Sequence, residues 1–318
     1  MYYPILTDSE RLSMLNIPKG KVDIVLDTDA YNEIDDQYAI VYALCSPDRI
    51  NLRAIYAAPF IHPGFMNGVY HGEDKVEAGE GMEMSYQETL RLMGMMNIKT
   101  DRFVFRGADR FMENETTPVD NPATDDLIQK AKKYTIERPL VVVAIGAPTN
   151  IASAIVKEPD IIKNIVVIWQ GGHALWWPNT DSYNLNQDLA SSRVLLNSGV
   201  ALWQVPAMGV AHQFIVSVPE LEHFLGNGGP IARYLLENVK NYEKKNSKQP
   251  AYTKAIWDIG TIACLINESW MPHFTVHSPM VTDDLRWSHD LQRHMIRTTY
   301  HVERDIIIND LYHKIQNI

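Results

Sequence analysis

VDIVLDTDAYNEIDDQYAIVYAL, Val22 to Leu44, is the stretch that decides the fold. Val22–Leu26 is a short β-branched run of the kind that forms a buried strand. Four aspartates, Asp27, Asp29, Asp35 and Asp36, follow within ten residues, and the last two open an apolar helix running through Leu44. Four carboxylates crowded behind a buried strand repel one another and stay ionised only beside a cation or several donors. Hard divalent cations take oxygen ligands of this type, and Ca²⁺ accepts roughly six to eight of them. Aspartate is also favoured at helix starts by capping and by the helix dipole. That accounts for an isolated Asp35-Asp36 pair, but less readily for Asp27 and Asp29 directly after a strand.

Working outward, similar runs occur at Leu52–Tyr56, Phe103–Phe105, Leu140–Ile145, Ile165–Trp169 and Leu202–Val205. Helix patterns alternate with them. Ser85 followed by Glu88 has the spacing of a capping box and predicts a helix from there to about Met96. Ala123–Tyr134 carries acids at its start and lysines towards its end, as the dipole favours. Thr149–Val156, Leu189–Asn197, Ile231–Lys244 and Trp257–Ile266 complete the set. The segment Ala58–Gly81 has little periodicity and reads as a long loop or lid over the site, and Asn246–Tyr252 is a polar break. This alternation predicts an α/β fold: a doubly wound, mostly parallel central sheet with flanking helices, in a single domain spanning 1–318. In such sheets the site lies beyond the carboxyl ends of the strands.

The net charge of −10 over 318 residues, with no long Lys/Arg run, argues against a general nucleic-acid binder and favours a small substrate, neutral or bridged by a cation. Cys45 and Cys264 sit in apolar stretches and read as buried thiols, not as a disulfide scaffold or zinc site. The start, MYYPILTDSERL, lacks the basic and apolar regions of a signal peptide, and no apolar stretch approaches the roughly 20 residues of a membrane span. The expectation is a cytoplasmic protein with no membrane or nucleic-acid partner.

The acidic stretch resembles the nucleoside hydrolase family, whose members carry Asp-x-Asp after the first strand, then a short loop and Asp-Asp opening a helix. Here those positions are Asp27, Asp29, Asp35 and Asp36, and the loop Ala30–Ile34 is two residues longer than the commonest family form. Three later blocks extend the resemblance from about Val22 to Ile307. GAPTNIASAI, Gly146 to Ile155, is similar to the family turn whose threonine carbonyl ligates calcium, a role that falls on Thr149. In QGGHALWWPNTDSYNLNQDLASS, Gln170 to Ser192, the family pattern falls on Gly171, Gly172, Tyr183, Asn184 and Asp188. Asn184 then corresponds to a ribose-hydroxyl ligand. The family glutamate that grips the sugar 5′-hydroxyl is Ser182 here, and Asp181 or Asn179 are the candidates to take that contact over. In KAIWDIGTIACLI, Lys254 to Ile266, Asp258 corresponds to the last metal ligand, while Trp257 stands where purine-using members have a histidine.

The resemblance implies Ca²⁺-dependent hydrolysis of the N-glycosidic bond of ribonucleosides or related ribosides by a divergent member of the family, commonly a homodimer or homotetramer. It makes Asp29 both base and metal ligand, with Asp36, Asp258 and the Thr149 carbonyl completing the metal site. Asp35 and Asn184 would hold ribose hydroxyls, with Asp27 behind them as a supporting carboxylate or hydroxyl contact. Trp176 and Trp177 form either an aromatic wall for a base or part of the core or of an interface. Trp257 is a candidate to stack on the base, and His173 to assist its departure. Two alternatives stay open: a non-catalytic nucleoside- or sugar-binding protein on the same scaffold, and a haloacid-dehalogenase-type phosphatase, whose motif shares Asp-x-Asp but wants Thr or Val where Tyr31 stands.

Overall fold

Strand β1 (Val22–Thr28) is hydrogen-bonded on both sides, and the sheet is wound outward from it in both directions. The computed structural model describes residues 3–62, 65–66, 69–70, 75–247, 249, 251–316 and 318. The main-sheet strands are β2 (Ile50–Ala57), β3 (Val104–Arg106), β4 (Leu140–Ala144), β5 (Ile165–Gln170), β6 (Ala201–Val205), β7 (His273–His277) and β8 (Met295–Thr299). Their order among the described residues is β7-β8-β6-β5-β4-β1-β2-β3. All neighbours run parallel except the edge pair β7–β8. The winding reverses between β1 and β4, so their carboxyl ends splay connections to opposite sides and leave a crevice there. Every residue of β4, β5 and β6 is buried. Both faces are covered by helices, which is why these strands read as continuous apolar runs rather than alternating ones.

The helices that cover the sheet include α1 (Asp8–Leu15), α2 (Asp35–Leu44), α3 (Ala78–Met95), α4 (Pro122–Ala131), α5 (Thr149–Lys157), α6 (Tyr183–Asn186) and α7 (Leu189–Asn197). Further along are α8 (Val218–Leu225), α9 (Pro230–Asn246), α10 (Ile259–Ile266) and α11 (Arg304–Gln316). All six expected strands match within two residues at each end. Two expectations need correction. Helix α3 begins at Ala78, so Ser85 and Glu88 lie inside it and do not cap it. Ser85 Oγ donates to the Thr28 carbonyl at 2.8 Å, and Glu88 accepts from the Tyr234 hydroxyl. The early start depends on glycine: a Cβ at Gly81 would lie 2.1 Å from the Phe60 carbonyl oxygen. The expected loop Ala58–Gly81 lies partly outside the described residues. Within them it holds an antiparallel ribbon, Phe65–Met66 with Val69–Tyr70, and its last residues belong to α3.

Candidate metal and substrate site

The crevice at the carboxyl ends of β1, β4 and β5 opens into a cavity of about 650 Å³. Asp29 follows β1, Asp35 and Asp36 form the first turn of α2, and Asp258 occupies the position before α10. All four line the cavity and are buried. One ligand oxygen each from Asp35, Asp36 and Asp258 lies within 4.8 Å of the others. Their orientations are set by neighbours: Asp36 Oδ1 accepts from the Thr28 hydroxyl, and Asp35 Oδ2 accepts the main-chain N–H of Trp257 at 3.2 Å.

Burial disfavours the ionised form of every member. It raises the Asp29 carboxyl to about 8 against the pull of an Asn32 hydrogen bond, with Asp35 pushing the same way. Burial raises Asp35 to about 6, with Lys254 holding it down. Burial and then the repulsion of the other aspartates drive Asp36 and Asp258 well above the carboxylate range. A buried set of all-oxygen donors that cannot ionise together without a counter-charge suits a hard divalent cation.

The remaining expected residues divide between cavity and wall. Asn184, His173, Asn179, Asp181, Ser182 and Trp257 line the cavity. The Asn184 amide nitrogen donates to the Ile145 carbonyl at 2.8 Å and to Gln170 Oε1 at 2.7 Å. Ser182 Oγ accepts the N–H of Gly172 at 2.7 Å, bracing a turn whose Gly172 has φ +69°. His173 Nδ1 accepts the Met208 N–H at 3.3 Å, and burial lowers the imidazole below its ordinary value. Trp177 lines the cavity with its ring 6.3 Å from that of His173, whereas Trp176 is exposed.

Asp27 and Thr149 are fully buried but do not line the cavity. Asp27 Oδ1 accepts from Asn150 Nδ2 at 2.8 Å, and burial raises its carboxyl to about 7. Thr149 turns its hydroxyl to Asp188 Oδ2 at 2.7 Å. From the turn after β4 it is Ile145 that reaches the cavity.

Sequence reasoning missed Asn32, Glu33, Lys254 and Tyr242, all in the cavity lining. Lys254 is buried and paired with Glu33, its ammonium 5.0 Å from the Tyr242 ring centroid. Burial works to lower this ammonium, but Glu33 and Asp35 outweigh it and raise it above its ordinary value. The available signal was a lysine four residues before Asp258 in an otherwise apolar segment.

A family model described as inosine-uridine preferring nucleoside hydrolase matches residues 24–306. The probable uridine nucleosidase 2 of Arabidopsis thaliana is 25% identical over 232 residues, covering 69% of this chain and 69% of that protein. The pyrimidine-specific ribonucleoside hydrolase RihA of Escherichia coli O9:H4 (strain HS) is 24% identical over 238 residues, 67% of this chain and 69% of that one. Among solved structures, the plant nucleoside hydrolase PpNRh1 aligns with a TM-score of 0.71 at 19% identity, over 95% of this chain and 100% of its own. A purine-preferring ribonucleoside hydrolase from Gardnerella vaginalis aligns with a TM-score of 0.69 at 19% identity, over 93% and 98%. At these identities the two structures speak for the fold.

Proposed function

The chain belongs to the inosine-uridine preferring nucleoside hydrolase family and is a nucleoside N-ribohydrolase, and from that premise we propose that it splits ribonucleosides into base and ribose in a calcium-dependent reaction. The observation that carries this reading is the buried cluster of Asp35, Asp36 and Asp258, with Asp29 beside it, at the reversal point of the sheet. Members of the family depend on a metal. Here Asp29, Asp36 and Asp258 would hold it, and from the turn after β4 Ile145, rather than Thr149, is the residue in the cavity lining that would offer a main-chain oxygen. An all-oxygen, carboxylate-rich donor set favours Ca²⁺ over metals that prefer nitrogen or sulfur. When bound, the cation lowers the pKa of a water and supplies a counter-charge for the sugar hydroxyls.

The chain's own groups then divide the work. Asp29 takes a proton from the attacking water as the bond from its oxygen to the anomeric carbon forms. The carbon–nitrogen bond breaks and its electron pair leaves with the base. Departure of the base runs ahead of bond formation to the water, so the sugar carries positive charge in the transition state, which the surrounding carboxylates offset. Asp35 and Asn184 hold ribose hydroxyls, and Asn179, Asp181 and Ser182 are the cavity residues offered to the rest of the sugar. Trp177 and Trp257 supply flat apolar surface for the base. The acids outnumber the one lysine, itself paired with Glu33, so an uncharged nucleoside suits the cavity better than a nucleotide. Asp27, sealed from the cavity, is badly placed to serve as a phosphatase nucleophile.

The family resemblance further supports one domain over residues 1–318, acting in the cytoplasm as a homodimer or homotetramer. Among the described residues no helix is long and apolar enough to cross a membrane. The test is a ribonucleoside panel assayed for released base and reducing sugar, before and after chelation and with calcium restored. Calcium-restored release supports the proposal. Turnover that ignores the chelator, or none on any riboside, overturns it.

A further inference from the structure

We propose that Asn32 is a positioning residue for Asp29, fixing the carboxylate that receives the proton of the attacking water; this rests on the hydrolase reading above. Asn32 Nδ2 donates to Asp29 Oδ2 at 2.9 Å, and both residues line the cavity. The main chain builds the same contact: the Asn32 N–H donates to the Asp29 carbonyl at 3.0 Å, closing a four-residue turn. Its third residue, Tyr31, has φ +84°, a conformation suited to glycine and costly for tyrosine. Strain of this kind persists only where the surroundings hold it, and here Glu33, two residues on, is tied to Lys254 in the cavity lining.

The other side of the Asp29 carboxylate is equally confined. A Cβ at Gly146 would lie 3.0 Å from both Asp29 Cγ and Oδ1, so the carboxylate packs directly on the glycine backbone. Oδ1 is thus set against Gly146 and Oδ2 beneath the Asn32 amide. Left free, Asp29 would swing away from Asp35 and Asp36, whose like charge repels it. The amide opposes that rotation and, being neutral, does so without the full positive charge that would make Asp29 a weaker base.

The test compares wild type, Asp29→Ala, Asn32→Ala and Asn32→Asp on uridine and on p-nitrophenyl riboside at saturating calcium, with calcium affinity and Tm measured alongside. Misplacing a reacting group by about 1 Å can cost on the order of 100-fold, so Asn32→Ala should lower kcat about 10- to 100-fold, with KM within about threefold. The loss should be similar on both substrates, because the activated riboside needs no help with its leaving group and reports water attack. Calcium affinity and Tm should stay near wild type. Asn32→Asp, of nearly the same size but without the amide donor, should lose at least as much and carries the test if Asn32→Ala does not fold. Wild-type kcat in either variant overturns the inference. So does a loss confined to uridine, or one that tracks calcium affinity or Tm. An inactive wild type would instead overturn the hydrolase reading, and an active Asp29→Ala would remove Asp29 as the base.

Discussion

The main-chain N–H of Trp257 holds Asp35 Oδ2 at 3.2 Å while its side chain lines the cavity, so one residue serves both the carboxylate cluster and the apolar wall. The two roles are separable, because the backbone donor survives any substitution except proline. Trp257→Ala should therefore leave the cluster in place and remove mainly binding surface. Steady-state kinetics should show KM raised about tenfold and kcat lowered less, since stacking on the base contributes alike to ground and transition states. A kcat loss larger than the KM rise would assign Trp257 to the chemical step.

Leaving-group chemistry follows from His173. Its Nδ1 accepts the Met208 N–H, so the neutral ring carries its proton on Nε2, and burial lowers the imidazole pKa. At neutral pH it is a hydrogen-bond donor, not a proton-transferring acid, and the Trp257 indole cannot transfer a proton either. p-Nitrophenyl riboside should accordingly be hydrolysed faster than inosine. His173→Ala should slow inosine by less than about tenfold and leave the activated riboside unchanged. Equal wild-type rates on both substrates would show that an acid operates elsewhere.

Without a cation, stability should depend on pH in an unusual direction. Burial raises the carboxyls of Asp27 to about 7, Asp29 to about 8 and Asp35 to about 6, against an ordinary value of 3.8. The fold therefore binds more protons than the unfolded chain across that interval. The stability these groups contribute is complete below about pH 4 and is lost as pH rises through 6 to 8. In chelator, Tm should fall by several degrees from pH 5 to pH 8, and calcium should raise it more at pH 8 than at pH 5. A chelated protein whose Tm climbs over that range would contradict the assignment.

Asp188 tests the wall behind the site. Oδ1 caps α7 through the Ser191 N–H at 2.9 Å, and Oδ2 accepts from Thr149 Oγ1 at 2.7 Å and from the Met112 N–H at 3.0 Å. Asp188→Ala strands three buried donors and should cost roughly 3 kcal/mol in denaturant unfolding. A loss under about 1 kcal/mol would mean that water replaces the carboxylate there.

The sheet was legible because its strands are buried on both faces, leaving apolar runs with polar residues directly after them. Asp27, Asp29, Asp35 and Asp36 were legible for the same reason, whereas Asp258, at the start of a helix, rested on the family resemblance. Edge elements were not: β7 reads HFTVH and is half exposed, and α1 depends on a local cap of Thr7 with Glu10 ahead of the first strand. The resemblance puts a carbonyl role on Thr149, but a main-chain carbonyl is borne by any residue, so nothing in the letters marks Ile145 as the residue of that turn in the cavity lining. Glu33 and Lys254 lie 221 positions apart and carry no periodic signal, and only the folded chain brings them together.

Asp35 and Trp257, whose hydrogen bond joins the two halves of the carboxylate cluster, are 222 positions apart in sequence. A cation site assembled across that separation cannot exist until β1 and β4 are paired and α10 has docked. Loop closure of this length comes late in folding, so the site is absent from an early transition state. Bound calcium should then slow unfolding while leaving the refolding rate nearly unchanged, acting as a latch on the finished molecule rather than a nucleus for its formation.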